Sequence, residues 1–324
     1  MKKKLEIFCT IGPSSLKKEF LKFSKKNISL LRLNMSHIEI KDLVRTINII
    51  RKFTPTPICI DTEGAQIRTK IEHKKKYKKN QVVILKKKNN NKLFYPDHIN
   101  RQLKKNDILD IGFSGLKIKI QKNSKKILKF LVLENGLFEN NKGVHLINRK
   151  IQLNFLTNKD LEAIEIAKKL KIKNFALSFT NSIKDIKNFE EILPTQKKIY
   201  KIETKKALKD FKKLVKIGDN FLIDRGDLSK EISIEMIPIA QKKILRLASI
   251  FNKNVYVATN FLESMIIHSS PTRGEVNDIY STLSQGSKGL VLAAETAIGK
   301  HPISCVKILH KMFNTFKKNK NILT

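Results

Sequence analysis

Charged and polar side chains follow the short apolar segments of this sequence, at the point where each segment ends. Lys201 and Glu203 close the segment at 198–203, and Asp227 follows the segment at 220–225. Carboxylates suit Mg²⁺, a hard cation that keeps water and shares itself with phosphate groups. Lys201 precedes Glu203 by two positions, so both side chains leave a strand on one face. The pattern indicates phosphoryl transfer, which depends on positioning and charge neutralisation; a structural Lys–Glu ion pair is the alternative.

Other apolar segments end in the same way, which favours a shared site over scattered surface charge. The polar residues that follow them are Arg32, Asn34, Ser36, His37, Asp61, Thr62, Arg68, Arg225, Thr259, Glu295 and Thr296. For His37, contact with a phosphate and a capping or packing role fit equally well. The polar pair Thr259–Asn260 ends a segment that otherwise alternates like a strand, and we interpret it as part of an active-site rim.

The periodicity predicts eight strands that alternate with helices. The strands are 5–11, 28–34, 57–62, 174–179, 198–203, 220–225, 255–259 and 289–295, and the helices are about 14–26, 39–52, 156–172, 182–193, 205–216, 235–251, 272–286 and 303–317. In the third helix, Thr157 followed by Asp160 resembles a capping box, and one apolar stripe is formed by Leu161, Ile164, Ala167 and Leu170. Eight such units predict an α/β fold, a (β/α)8 TIM barrel with its chemistry at the carboxyl ends of the strands.

One interval interrupts this alternation. Residues 70–146 alternate at period two and contain Asn and Gly turn signals, which predicts a small antiparallel β domain inserted after strand 3. The barrel is then assigned to residues 1–69 and 147–324.

Composition restricts the function classes. The net charge of +37 favours anionic partners, but only nine of the 66 basic residues are arginine and tryptophan is absent, so nucleic-acid binding is not expected. The three cysteines are far apart without metal-ligand spacing, which fits a reduced cytoplasmic compartment. No apolar run reaches the length of a membrane span, and the amino-terminal run is too short for a signal peptide.

The chain resembles the pyruvate kinase family. The motifs CTIGPSS, LRLNMSH, DTEGAQIRT, KGVHL, ALSF, KIET, DRGDLS, VATNFLESM, SSPTRGEV and AAETAIGKHP follow in the family's order from end to end. The resemblance implies a (β/α)8 barrel with a β-barrel-like lid domain after strand 3, as the periodicity predicts independently. It implies glycolytic transfer of a phosphoryl group from phosphoenolpyruvate to ADP, which gives pyruvate and ATP.

Site residues follow from matching positions in these motifs. Arg32 and Lys201 are implied to bind and stabilise the phosphoryl group, while Thr259 with the backbone at Gly226 and Asp227 holds the substrate carboxylate. Glu203 and Asp227 are implied ligands of Mg²⁺ or Mn²⁺. The potassium ligands correspond to Asn34, Ser36, Asp61 and Thr62, and the nucleotide contacts to Asn34, Met35, Ser36, His37, Arg68 and Lys142.

Several positions depart from the family pattern. Glu63, Ala65 and Gln66 replace the usual Lys, Pro and Glu, and the change at Gln66 leaves the K⁺ requirement open. Asn181 and Ser229 also depart from it, and so do Ala293, Ala294 and Ile298, so nucleotide and phosphate contacts are fewer. The sequence stops after the eighth helix, so we expect the C-terminal regulatory domain to be absent. A homo-oligomer is left open, and the family's tetramer is not expected.

Two other hypotheses compete with a pyruvate kinase activity. A related barrel enzyme acting on another enol phosphate or acceptor would explain the altered nucleotide-side residues. A non-catalytic protein that binds anionic metabolites or RNA would explain the positive charge, because fold resemblance alone does not fix chemistry.

Overall fold

The computed structural model describes residues 5–87, 93–112, 115–149, 151 and 153–319. They form two compact units, one built from the chain up to Gly64 and from Asn158 onward, the other from Ala65–Thr157. The second unit therefore extends beyond the interval 70–146 on both sides. The reason on its amino-terminal side is a strand at Ile67–Thr69, which pairs with strands of the second unit.

Eight parallel strands close a barrel in the first unit, as the sequence predicts. In chain order they are β1 (Glu6–Thr10), β2 (Leu30–Asn34), β3 (Ile58–Asp61), β13 (Asn174–Leu177), β14 (Lys197–Ile202), β15 (Asn220–Asp224), β16 (Asn254–Ala258) and β17 (Gly289–Leu292). Around the barrel they run β1, β17, β16, β15, β14, β13, β3 and β2, which closes the sheet. The fold class is thus confirmed as a (β/α)8 barrel.

Every strand contributes one buried side chain to the centre of the barrel, and β16 contributes two. This buried cluster consists of Phe8, Leu30, Cys59, Ala176, Ile199, Leu222, Tyr256, Ala258 and Val291. Because strand side chains alternate, the residue two positions after each of these also faces inward, nearer the carboxyl end of the barrel. The core register therefore determines which residues reach the mouth.

Helices surround the barrel and connect its strands. Those of the first unit are α1 (Lys18–Asn27), α2 (Ile40–Phe53), α4 (Asn158–Lys169), α5 (Ile183–Ile192), α6 (Lys205–Leu214), α7 (Arg225–Leu228), α8 (Ile237–Ile250), α9 (Arg273–Ser284), α10 (Ala294–Ala297) and α11 (Pro302–Lys318). The short helices α7 and α10 were not predicted. They begin directly after strands β15 and β17, so Arg225, Asp227, Glu295 and Thr296 lie on helices rather than on strand ends.

Helix α4 buries Ile164 and Ala167 of the predicted apolar stripe but not Leu161. Leu161 is exposed, whereas Asp160 is fully buried together with Ala163, Ile164 and Ala167. Asp160 accepts hydrogen bonds from the backbone N–H groups of Glu63 and Gly64 at 2.7 and 3.0 Å. The buried carboxylate thus anchors the loop after β3, a role that the apolar periodicity does not show.

The second unit is an antiparallel β domain with its own core. A seven-stranded sheet has the order β6 (Val82–Lys86), β10 (Ile127–Glu134), β9 (Leu116–Asn123), β8 (Ile108–Ile111), β12 (Gly143–Leu146), β4 (Ile67–Thr69) and β7 (Phe94–Tyr95). Strands β5 (Lys75–Tyr77) and β11 (Gly136–Phe138) form a separate pair, and α3 spans Ile99–Gln102. Phe94, Phe130 and Phe138 are buried in the core of this unit.

Two further observations concern the cysteines and the membrane. Cys9, Cys59 and Cys305 are all buried thiols outside any disulfide. Within the described part of the chain, none of the helices combines the length and apolar character that crossing a bilayer requires.

Candidate active site

The barrel mouth carries a ring of polar side chains, each two positions beyond a core residue of its strand. Thr10, Arg32, Asp61, Ser178, Lys201 and Asp224 follow Phe8, Leu30, Cys59, Ala176, Ile199 and Leu222 in this way. All six are buried. A buried polar side chain is costly unless it is hydrogen-bonded or ion-paired, so this ring must satisfy itself or bind a ligand.

Lys201 lies at the centre of the ring. Its Nζ is 2.8 Å from Glu203, 3.4 Å from Asp61 and 3.5 Å from Asp224, and it donates a hydrogen bond of 3.0 Å to Ser178 Oγ. The whole residue is only 5% exposed. Lys201 and Glu203 thus form an ion pair, but as part of a larger buried cluster rather than an isolated surface pair.

The charged groups of this cluster shift one another's pKa values. Burial alone would lower the pKa of Lys201, but the carboxylates of Asp61, Glu203 and Asp224 raise it above its ordinary value. Burial raises the pKa of Glu203; Lys201 opposes this rise, and Asp224 and Asp227 add to it. Lys201 is therefore held as a cation, and the crowded carboxylates would gain from a further positive charge.

Arg32 supplies a second cation beside the lysine. Its Nη1 is 3.1 Å from Asp61 Oδ2, and its Nε donates to Thr10 Oγ1 at 3.0 Å. Burial would lower the pKa of Arg32, but Asp61 and Asp224 raise it. The backbone position of Arg32 is fixed between two neighbouring strands, because Arg32 is paired in register with Thr10 of β1 and Cys59 of β3.

Three carboxylates meet beside Lys201 in a way that suits a metal ion. Glu203, Asp224 and Asp227 each offer an oxygen, and these atoms all lie within 4.8 Å of one another. Hard divalent cations bind such oxygen ligands. Glu203 also accepts a backbone hydrogen bond from Phe179 at 2.6 Å, and Asp227 lies 3.2 Å from Lys230 Nζ. The donor set therefore fits Mg²⁺ or Mn²⁺.

The polar end of β16 forms a strained corner. Thr259 and Asn260 have positive φ angles of 75° and 60°, a conformation that is uncommon for a β-branched residue such as Thr259. Arg225 donates from Nε to the Thr259 carbonyl at 3.2 Å, and its guanidinium lies over the Phe261 ring. The N–H of Gly226 donates to Thr259 Oγ1 at 2.9 Å. Thr259, Gly226 and Asp227 are thus brought together, as the sequence interpretation requires.

The four oxygen-bearing residues matched to potassium ligands lie at the carboxyl ends of β2 and β3 and in the loops that follow them. Asn34 is paired in register with Asp61, and Asn34 Oδ1 accepts a hydrogen bond from Ser36 N–H at 3.0 Å. Thr62 Oγ1 accepts from the Ser178 N–H at 3.0 Å. Asp61 is shared with the cation cluster, so it links this group to Lys201.

The loop after β2 contains three of the residues matched to nucleotide contacts, Met35, Ser36 and His37. Met35 is fully buried, and its backbone N–H donates to the Asp61 carbonyl at 2.9 Å. Lys159 Nζ donates to the Met35 carbonyl at 2.6 Å and to Glu63 Oε1 at 3.0 Å. His37 N–H bonds back to the Asn34 carbonyl at 3.0 Å, which forms a turn. Glu63, which departs from the family pattern, thus has a lysine partner in this chain.

Arg68 and Lys142 belong to the second unit. Arg68 pairs in register with Gly143, the neighbour of Lys142, and its Nη1 donates to the Asn141 carbonyl at 3.2 Å. Lys142 Nζ is 3.1 Å from Glu139. Arg68 therefore lies on β4, and Lys142 lies just before β12, the strand that pairs with β4.

Sequence reasoning missed Asp224, Ser178 and Thr10. Each lies at a position whose side chain faces the barrel interior, and Asp224 is the last residue of β15. The signal was available: Leu222 and Asp224 alternate as Ile199 and Lys201 do. The mutual contacts among the ring members, however, depend on strand register that periodicity alone does not give. Glu295, singled out for its position, accepts bonds from the N–H groups of Leu262 and Ala293 instead.

A (β/α)8 barrel with buried cations and clustered carboxylates at the carboxyl ends of its strands has the architecture and the site position of the barrel enzymes. The sequence model of the pyruvate kinase barrel domain matches residues 2–306. The chain belongs to the pyruvate kinase family.

Relatives with this name come from bacteria, archaea and plants. The chain is 33% identical to a pyruvate kinase of Thermotoga maritima, over 97% of the chain and 71% of that protein. It is 33% identical to one of Methanocaldococcus jannaschii, over 96% of the chain and 69% of that protein. It is 28% identical to plastidial pyruvate kinase 3 of Arabidopsis thaliana, over 95% of the chain but only 57% of that protein.

Proposed function

We propose that this chain transfers the phosphoryl group of phosphoenolpyruvate to ADP, giving ATP and pyruvate, with the help of a divalent metal. The observation that carries the proposal is the buried Lys201, ion-paired with Glu203 and Asp61 in the mouth of the barrel. Burying a charged amine is costly unless it is paired, and two of the three carboxylate partners of Lys201, Glu203 and Asp224, belong to the group that fits a metal. The family relationship supports a kinase-type phosphotransferase.

Glu203 and Asp227 are the proposed metal ligands. When bound, Mg²⁺ or Mn²⁺ would neutralise phosphoryl charge and orient the substrate oxygens. At this site the negative charges exceed the positive ones by one. The carboxylates are Asp61, Glu203, Asp224 and Asp227, and the cations are Arg32, Lys201 and Lys230. A divalent ion would reverse this balance, so the mouth would become attractive to an anionic substrate.

Arg32 and Lys201 bind the transferred phosphoryl group in this proposal. Both are held rigidly by neighbouring side chains, so they need little reorganisation as charge develops in the transition state. Lys201 donates hydrogen bonds to oxygens of the phosphoryl group. Meanwhile the bond between phosphorus and the enol oxygen breaks, and a bond forms between phosphorus and a terminal phosphate oxygen of ADP. The enolate that remains takes up a proton at carbon to give pyruvate.

The corner of Thr259, Gly226 and Asp227 holds the substrate carboxylate. The Gly226 N–H and the Thr259 hydroxyl bond each other at 2.9 Å, so in the proposed complex both donors turn to the carboxylate oxygens instead. Arg225 keeps the corner in shape through the Thr259 carbonyl. Fixing the carboxylate orients the enol phosphate towards Lys201, and such positioning supplies part of the rate enhancement.

The remaining contacts are proposed from the residues that match the family's motifs. Asn34, Ser36, Asp61 and Thr62 are the proposed oxygen ligands of K⁺, an ion that their carboxylate, amide and hydroxyl groups suit. Met35, Ser36 and His37 with Asn34, together with Arg68 and Lys142, are proposed to bind the nucleotide. Arg68 and Lys142 would act on its phosphates through charge-assisted hydrogen bonds.

The direct test is pyruvate production from phosphoenolpyruvate and ADP with Mg²⁺ and K⁺. Lys201→Met should reduce turnover by about 10²-fold or more, because a single preorganised donor to transition-state charge contributes that much. Lys197→Met is the matched control, since Lys197 is an exposed lysine at the other end of the same strand, and it should retain wild-type turnover. Equal turnover of the two variants would overturn the role of Lys201. Wild-type turnover only with a different enol phosphate or acceptor would overturn the substrate assignment.

A further inference from the structure

Asp224 is a buried carboxylate to which the proposed reaction so far gives no part. It ends strand β15, is 6% exposed, and follows the core residue Leu222 by two positions. The last register pair between β14 and β15 is Ile202 with Ile223, so Asp224 lies beside Glu203, one position further on. The strand pairing therefore brings a third acidic side chain to the metal ligands.

The distances fit one cation rather than three separate ion pairs. Mg²⁺ binds oxygens at about 2.0–2.1 Å, so two ligands on opposite sides of the ion are about 4.2 Å apart and adjacent ones are closer. The oxygens of Glu203, Asp224 and Asp227 all lie within 4.8 Å of one another. Small side-chain adjustments would bring all three to binding distance of one ion.

Existing contacts leave capacity for such an ion. Glu203 Oε1 is buried and, within the described residues, makes no hydrogen bond of acceptable geometry, although Lys201 Nζ lies 2.8 Å away. Asp224 Oδ2 is 3.5 Å from the same Nζ, which is a weak contact. One shared ammonium thus serves Glu203, Asp61 and Asp224, and a metal would relieve the repulsion among the carboxylates.

We propose that Asp224 is a third carboxylate ligand of the divalent cation, alongside Glu203 and Asp227. This inference rests on the metal site of the proposed function. Affinity for a hard cation rises with the number of charged ligands, so the extra carboxylate tightens metal binding before any substrate arrives. The alternative is that Asp224 only positions Lys201.

Binding of Mn²⁺ to the full chain without substrate separates these roles. The electron paramagnetic resonance signal of free Mn²⁺ gives the dissociation constant directly and does not depend on turnover. We expect Asp224→Ala to weaken Mn²⁺ binding at least about tenfold, since even outer residues of metal sites contribute this much. Asp219→Ala is the control, because Asp219 is a largely exposed aspartate just before the same strand, and it should bind like the wild type.

Glu203→Ala distinguishes failure of this inference from failure of the metal site itself. Wild-type Mn²⁺ affinity in Asp224→Ala, with loss in Glu203→Ala, would overturn the role of Asp224 alone. Unchanged affinity in both variants, or no binding by the wild type, would overturn the proposed metal site. Should Asp224→Ala fail to fold, Asp224→Asn keeps the shape while removing the charge, and the same weakening is expected of it; wild-type affinity in Asp224→Asn would then overturn the inference.

Discussion

Replacing Lys201 with methionine should destabilise the barrel when no metal is present. At an effective dielectric constant of about 20, each contact of its ammonium with Glu203, Asp61 and Asp224 corresponds to a gross attraction of roughly 5–6 kcal/mol. The cost of burying the ammonium offsets much of this attraction. Removing one partner from a buried ion pair nevertheless costs about 3–5 kcal/mol, because the remaining charges stay buried without compensation.

Thermal denaturation measures this loss. For a unit of the size of the barrel, 3–5 kcal/mol corresponds to a fall of roughly 6–20 °C in Tm. Lys197→Met, which removes an exposed lysine of the same strand, should melt within about 1–2 °C of the wild type because surface changes contribute within about 0.5 kcal/mol. Mg²⁺ should raise Tm more in Lys201→Met than in the wild type, because it replaces the missing positive charge beside Glu203.

Two outcomes would refute this reasoning. If Lys201→Met melts within about 2 °C of the wild type without metal, the lysine is not needed to compensate the buried carboxylates. If the variant is destabilised but Mg²⁺ stabilises it no more than the wild type, the metal does not bind next to Glu203.

Two further substitutions test the loops around the site. Burial would raise the pKa of Glu275, but hydrogen bonds from Ser264 and Thr272 lower it. Glu275→Ala should therefore lower Tm by about 4–8 °C at neutral pH, for a loss of about 2 kcal/mol. Because the folded pKa is depressed, the wild type should lose this advantage as the pH falls through that pKa, and an advantage that persists in acid would contradict the assignment. Gly64→Ala should lower Tm more than Gly286→Ala: both glycines have positive φ, but a Cβ at Gly64 would lie 2.7 Å from the Ser178 carbonyl, whereas nothing lies within 4 Å at Gly286. Equal melting temperatures would show that the loop at Gly64 yields without cost.

Much of the barrel could be predicted from the sequence because its strands and helices are locally encoded. Buried strands read as short apolar runs, and the residues that end them, such as Lys201 and Asp61, are conspicuous for being polar. On α4 the predicted stripe is confirmed at Ile164 and Ala167, but Leu161 is exposed and Asp160 is buried, where it accepts backbone hydrogen bonds from Glu63 and Gly64. A carboxylate used in this way cannot be told from a solvated one by periodicity.

The cluster around Lys201 shows a different limit. Lys201 and Glu203 are two positions apart in sequence, so their pairing was visible, whereas Asp61 and Asp224 reach the lysine only through the register of four strands. The helix α7 also escaped prediction, because its four residues are too few to show a helical period. Asp227 therefore reaches Glu203 and Asp224 from a short helix instead of a strand end.

The ring of polar residues at the mouth has a consequence for how this barrel can change over time. Six of the strands place an apolar core residue and a polar residue of the mouth two positions apart on the same face, as β15 does with Leu222 and Asp224. A point substitution in the outer layer can therefore alter ligand charge without removing an apolar group from the core. An insertion or deletion of one residue within a strand would instead turn both the core residue and the mouth residue away from the barrel interior, because side chains alternate between the two faces of a strand. New chemistry in this architecture can therefore arise by substitution but not by a one-residue change in strand length.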